Sequence, residues 1–180
     1  MSSSTFIRWC ALACVVGGVV YGGQALMPLI SSMLPPSAYY NLLELMFLVV
    51  LLLGALAAIA GLHTLQRERY GAPGAAASLT SFVGVALILV GATADVLAGQ
   101  RYALLAYFLI VGSLVATVGL VSLGVTTMLA RVLPWWCGAS LIVGSPPFAL
   151  FLLGPLVGLV WALVGYALLR VGAQQPTPRA

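Results

Sequence analysis

Charge is the first thing that this chain lacks. Only 6% of its 180 residues are charged, with seven basic and three acidic side chains, and the mean hydropathy is +1.17. A soluble domain carries about 25% charged residues, so too few are present here to cover a surface that faces water. The composition therefore excludes a soluble globular protein and predicts a membrane protein.

The residue types that are absent or rare also exclude several kinds of chemistry. The chain has no lysine and a single histidine, His63. Without lysine, Schiff-base chemistry and the usual phosphate-binding loop are impossible, and one histidine cannot supply both axial imidazoles of a haem. The acids are too few for a carboxylate-bridged metal pair. We therefore predict that the protein is not an enzyme, holds no cofactor and binds no nucleic acid.

What the chain does contain is long apolar runs. A helix needs about 20 mostly apolar residues to cross a bilayer, and several runs reach that length. The sequence predicts an all-α, polytopic membrane bundle in one domain, 1–170, followed by a disordered cytoplasmic tail, 171–180. The six predicted transmembrane helices cover residues 6–26, 41–63, 77–97, 104–129, 135–153 and 155–170.

Segment 132–170 decides the number of spans. It carries no charge before Arg170, and as one helix it would be roughly 58 Å long, nearly twice the bilayer core of about 30 Å. It must therefore break. Gly154-Pro155 is the predicted turn, because glycine ends helices and proline starts them. The alternative is a break at Ser145-Pro146-Pro147, which makes a re-entrant segment and leaves five spans.

The arginines orient the bundle. If segment 132–170 crosses twice, six of the seven arginines share one side and Arg101 lies alone on the other; a single crossing splits them four against three. The positive-inside rule prefers the first arrangement, with both termini in the cytoplasm. The piece RVLPWWCGASLIVG, followed by a last helix that ends in Arg170, resembles small multi-pass proteins of GC-rich bacteria. This resemblance implies a bacterial inner membrane.

Two acids fall near the outer ends of predicted helices. Glu44 and Asp95 lie at similar depth on faces expected to point into the bundle, and Arg101 follows shortly after. Ionisable residues within membrane segments are costly and are functional candidates by default. One interpretation is a salt bridge between Arg101 and one acid that fixes a loop. The other is a polar vestibule for a proton, an ion or a small polar ligand.

Thiols and the histidine gather at the predicted inner ends. Cys10, Cys14, Cys137 and His63 match a structural zinc set in ligand type. The spacing contains no local ligand motif such as CxxC, and cysteine is common as a small buried apolar residue. The sequence therefore names these four as weak candidates and predicts no metal site.

Small residues recur at helical spacing in most predicted helices. Spacings of three and four place them on one face, where they let membrane helices approach closely. The positions are Cys10, Cys14, Gly18, Gly22 and Ala25; Gly54, Ala58 and Gly61; Ser81, Gly84 and Gly91, with Asp95 on the same face; Gly112, Ala116, Gly119, Ser122 and Thr126; and Gly154, Gly158, Ala162 and Gly165. Such faces pack either within the monomer or against a partner.

Three functions are compatible with these features. The preferred one is an accessory or interaction subunit that packs in the lipid bilayer against a partner membrane subunit or a second copy. The alternative is a small transporter or channel that uses the Glu44/Asp95 vestibule. The least favoured is a lipid- or quinone-binding membrane enzyme.

Overall fold

The computed structural model describes residues 3–23, 39–98, 105–145 and 154–174. Within these ranges the chain forms five helices and no strand, which confirms the predicted all-α class. Helices suit such an apolar chain, because all backbone hydrogen bonds except those at the helix ends form within one segment. The helices are α1 (Ser3–Gly22), α2 (Tyr39–Ala98), α3 (Leu105–Ala130), α4 (Trp135–Val143) and α5 (Gly154–Gln174).

Helix α2 is broken at Gly71. This residue has φ 58° and ψ −155°, a backbone conformation that glycine adopts without the steric cost of a Cβ. The chain reverses there, and we call the two antiparallel arms α2a (39–70) and α2b (72–98). The sequence analysis leaves residues 64–76 as a connection between the predicted helices 41–63 and 77–97, and this is wrong, since the segment is helical on both sides of one glycine. The GAPG sequence at residues 71–74 is typical of a longer loop, but the helix continues up to Tyr70.

Helix α1 packs between α2a and α5 with very close backbone approach. Gly17 lies against Gly54 of α2a, and Gly18 lies against Gly158 of α5. A Cβ added at Gly54 would come within 2.8 Å of the Ala13 carbonyl oxygen, so only glycine fits there. The small-residue faces of the first, second and last predicted helices thus pack within the monomer.

The second half of the bundle repeats this arrangement. Gly84 of α2b contacts the backbone of Ala116 in α3, and Gly124 of α3 contacts Gly138 of α4. The contacts place each helix or arm antiparallel to the one before it in the chain. Membrane helices gain van der Waals energy from such close contact, because lipid offers no hydrophobic drive for association.

Segment 132–170 has a helix end at each of the two predicted breaks. Helix α4 ends at Val143, well short of residue 153, where the sequence analysis ended it. Gly144 closes it by donating its N–H to the Ser140 carbonyl at 2.7 Å. Pro146 follows closely, and the residue before a proline is disfavoured in a helix. Helix α5 begins at Gly154, the preferred turn; residues 146–153 lie outside the described residues.

The described helices include three that are long and apolar enough to cross a membrane. They are Ser4–Gly22, Leu43–Ala98, which contains the Gly71 break, and Leu105–Ala130; a shorter apolar helix spans Leu156–Gly172. Helix α5 continues to Gln174, so the first part of the predicted disordered tail is helical. The length and composition of these helices indicate a membrane protein.

The outer surface of α3 is apolar along its length. Large side chains recur at helical spacing on this face, and five are at least 63% exposed: Tyr107, Ile110, Leu114, Val118 and Leu129. Contiguous exposed apolar surface of this kind is rare on soluble monomers. It suits contact with lipid chains.

Candidate functional site

Asp95 is fully buried at the end of the bundle opposite the Gly71 break. Its Oδ2 accepts the backbone N–H of Leu105 at 3.0 Å. Leu105 is the first residue of α3, where backbone N–H groups lack partners within the helix and the helix dipole favours a negative charge. Asp95 therefore ties the end of α2b to the start of α3. This contact gives the carboxylate a structural role.

Glu44 lies at the same end of the α2 hairpin as Asp95. The arms are antiparallel, so the start of α2a and the end of α2b lie at one depth, as the sequence predicted. Glu44 is half-buried. The predicted partner Arg101 lies outside the described residues. The vestibule of Glu44, Asp95 and Arg101 thus stays a prediction.

The three thiols are all buried. Cys10, Cys14 and Cys137 are all free, and Cys14 Sγ donates a hydrogen bond to the Trp161 carbonyl oxygen at 3.0 Å. This contact joins α1 to α5. His63 forms a hydrogen bond with Tyr70. Among the described residues, no group of three or more His, Cys, Asp or Glu side chains could hold a metal ion.

A polar cluster at the Gly71 break joins the two arms of α2. The Tyr70 hydroxyl is 2.7 Å from His63 Nδ1 and 3.0 Å from Ser78 Oγ. Tyr70 is only 9% exposed, so these hydrogen bonds satisfy a buried hydroxyl. Sequence reasoning missed this cluster, because it placed Tyr70 in a loop. The spacing of seven residues, two helical turns, between His63 and Tyr70 would have indicated it.

A second polar contact joins α2a to α3 nearby. Thr127 Oγ1 donates to Gln66 Oε1 at 3.2 Å, and both side chains are fully buried. Gln66 Nε2 has no hydrogen-bond partner among the described residues. An unsatisfied buried donor costs about 1–3 kcal/mol, which offsets the roughly 0.5–1.5 kcal/mol that one hydrogen bond contributes.

Two surface grooves and one central cavity accompany these contacts. The arm groove lies between α2a and α2b and has a volume of about 230 Å³; its lining is Ile59, Ala60, His63, Ala75, Ser78, Leu79 and Phe82. The α2–α3 groove lies between α2b and α3 and measures about 270 Å³; its lining is Pro73, Ala76, Ala77, Thr80, Val118, Gly119, Ser122 and Thr126.

The central cavity is apolar and smaller. It has a volume of about 130 Å³ and lies among α1, both arms of α2, α3 and α5, with Leu51, Ile88 and Leu120 in its wall. Tyr21 and Trp161 bring the only polar side-chain atoms among its described lining residues. Such a lining suits a small apolar molecule.

Comparison with protein-family models, with curated proteins and with solved structures finds no match. Three features of the described residues bear on function: a carboxylate that holds a helix start, a hydroxyl–imidazole cluster at a helix break, and two surface grooves.

Proposed function

We propose that this chain is a six-span protein of a bacterial inner membrane, with both termini in the cytoplasm. The antiparallel order of the helices supports this topology. Gly172, near the end of α5, packs against Ile7, near the start of α1, and the Gly71 break lies at that same end. The exposed arginines described at this end are Arg8, Arg67, Arg69, Arg131 and Arg170, as the positive-inside rule requires for a cytoplasmic side.

Exposed tryptophans support the placement of this end at a membrane surface. Trp9 is 62% exposed and Trp135 is 72% exposed, and indole rings favour the headgroup level of a bilayer. Gly61 of α2a packs on Cys10, the neighbour of Trp9. The last turns of α2a before the break therefore lie at headgroup level.

Within this membrane protein we infer the role of an accessory or interaction subunit that acts without catalytic chemistry. The α2–α3 groove carries this proposal. The first part of the small-residue face on α3, including Gly112 and Ala116, packs against α2b. Its continuation, Ser122 and Thr126, borders the groove, and Ser122 is exposed. A small-residue groove open to lipid is the surface against which a partner transmembrane helix packs closely.

Filling the groove tests this proposal. Ala76→Leu and Ser122→Leu each place a branched side chain at an exposed groove position, which should hold a partner helix away. Native mass spectrometry after gentle solubilisation should give the wild-type chain a mass above the 18.6 kDa of one copy. The excess mass identifies either a second copy or a different subunit. Both variants should give one copy alone.

Ala106→Leu is the matched control, because Ala106 is an exposed alanine of α3 outside the groove. This variant should keep the wild-type mass. A wild-type chain found only as a lone monomer would contradict the proposed role. Retention of the partner by both groove variants would contradict its proposed position.

A further inference from the structure

The arm groove is apolar along most of its length and has the polar residues His63 and Ser78 at one end. Because the arms are antiparallel and meet at Gly71, Ile59 and Phe82 line its deeper part, while His63 and Ser78 lie nearer the break. Polarity therefore rises along the groove from the bilayer interior toward the headgroup level, which is the polarity order of a membrane lipid.

A positive charge continues the groove beyond its polar end. Arg67 follows His63 by four residues, so it lies on the same helix face about 6 Å farther along the axis. Its side chain is exposed, and Arg69 and Glu68 are exposed beside it. The surrounding end of the bundle is basic, and basic pockets between transmembrane helices on the cytoplasmic side recognise anionic headgroups.

The shape of the arm groove is fixed by its own contacts. Ala60 and Ala75 keep side-chain volume low between the arms. The Tyr70 hydroxyl contacts both His63 Nδ1 and Ser78 Oγ, which holds the imidazole in the groove wall. The groove is thus a preformed space with one oriented polar ring at its mouth, and a preformed site loses less entropy when a ligand binds.

We propose that the arm groove binds an anionic phospholipid. One acyl chain lies against Ile59, Leu79 and Phe82, and the headgroup phosphate lies at headgroup level near His63 and Arg67. This site goes beyond the proposed interaction role, because it uses a different face of α2b from the α2–α3 groove. It depends only on the placement of the Gly71 break at the membrane surface.

A matched pair of charge variants tests the proposal. Arg67→Gln and Arg69→Gln each remove one exposed positive charge, but Arg69 lies two residues on, about 200° around the helix from Arg67. The full chain is titrated in detergent with phosphatidylglycerol, with phosphatidylcholine and with inorganic phosphate, and native mass spectrometry counts the bound molecules. We expect selective retention of phosphatidylglycerol. Arg67→Gln should weaken it about fivefold, which corresponds to about 1 kcal/mol per basic residue near an anionic surface, and Arg69→Gln much less.

A groove-filling variant tests the acyl-chain part. Ala60→Leu fills the groove without changing any charge of the protein, and it should reduce the retention of phosphatidylglycerol. Ala106→Leu should leave this retention intact. If Ala60→Leu fails to fold, the arginine pair still decides, because both positions are exposed. Equal losses from the two arginine variants would overturn the proposal, since they indicate general surface attraction. Equal retention of phosphatidylcholine, or saturable binding of inorganic phosphate with the same dependence on Arg67, would overturn it too.

Discussion

Alanine at position 18 should strongly destabilise the bundle. A Cβ at Gly18 would lie 2.6 Å from the backbone nitrogen of Ala162 and would also meet the carbonyl oxygen of Gly158. Both neighbours are backbone atoms, so no side chain can rotate away, and α1 and α5 must move apart. Overpacking of this kind costs about 1–3 kcal/mol. A cost of about 3 kcal/mol would lower the midpoint temperature of thermal unfolding by roughly 6–12 °C for a chain of this size.

Gly23→Ala is the control for this experiment. A Cβ at Gly23 would have no atom within 4 Å, so the same added methyl group should leave the midpoint nearly unchanged. Thermal unfolding of the two variants and the wild type in one detergent measures the difference. Equal midpoints for Gly18→Ala and Gly23→Ala would show that α1 and α5 do not pack at this distance.

Removal of the Asp95 carboxylate should have the second large effect. Asp95→Ala leaves the Leu105 N–H without its acceptor and leaves a space at a fully buried position. Loss of a helix-capping side chain costs about 0.5–2 kcal/mol, and an unsatisfied buried donor costs about 1–3 kcal/mol. Both costs refer to the same N–H group, so they are not added. We expect Asp95→Ala to lower the free energy of unfolding by about 2–3 kcal/mol.

Asp95→Asn separates the structural role from the vestibule. The asparagine oxygen can still accept the Leu105 N–H, so this variant should keep most of the stability that Asp95→Ala loses. A vestibule that needs the charge predicts instead a folded Asp95→Asn protein that has lost proton or cation binding. If Asp95→Ala unfolds at the wild-type temperature, the helix-capping account of this residue is wrong.

The fold class was predictable because composition alone leaves few options. With 6% charged residues and apolar runs of about 20 residues, the chain fits helices that satisfy their own backbone in lipid. The helix faces lined by glycine and alanine were also predictable, and the contact between Gly18 and Gly158 joins two of these faces. The identity of each neighbouring helix was not, because a small residue indicates close approach without indicating what approaches.

Helix ends were harder to predict than helix faces. The GAPG sequence after Tyr70 predicts a loop by its glycine and proline content, but one glycine with positive φ is enough to reverse the chain. The last turns of α2a therefore appeared to be loop, and the Tyr70 cluster went unnoticed. At α4 the opposite error occurred, since the apolar run was extended past Val143 toward Gly154.

The candidate sites show the same limit. The inward direction of Asp95 followed from its place on a small-residue face, and the structure buries it fully. Its partner is a backbone N–H, and sequence patterns do not display backbone donors. The arm groove depends on which residues of α2b face α2a, and that depends on the reversal at Gly71.

The central claim is that α2 crosses the membrane twice, with its break on the cytoplasmic side. Single cysteines at Glu68 and Ala98, both exposed, test it with a membrane-impermeant maleimide; the three native thiols are buried and give little background. We predict that Glu68→Cys is labelled only when the cytoplasmic face is accessible, and that Ala98→Cys is labelled from the outside of intact cells. Labelling of both positions from the same side would contradict the account.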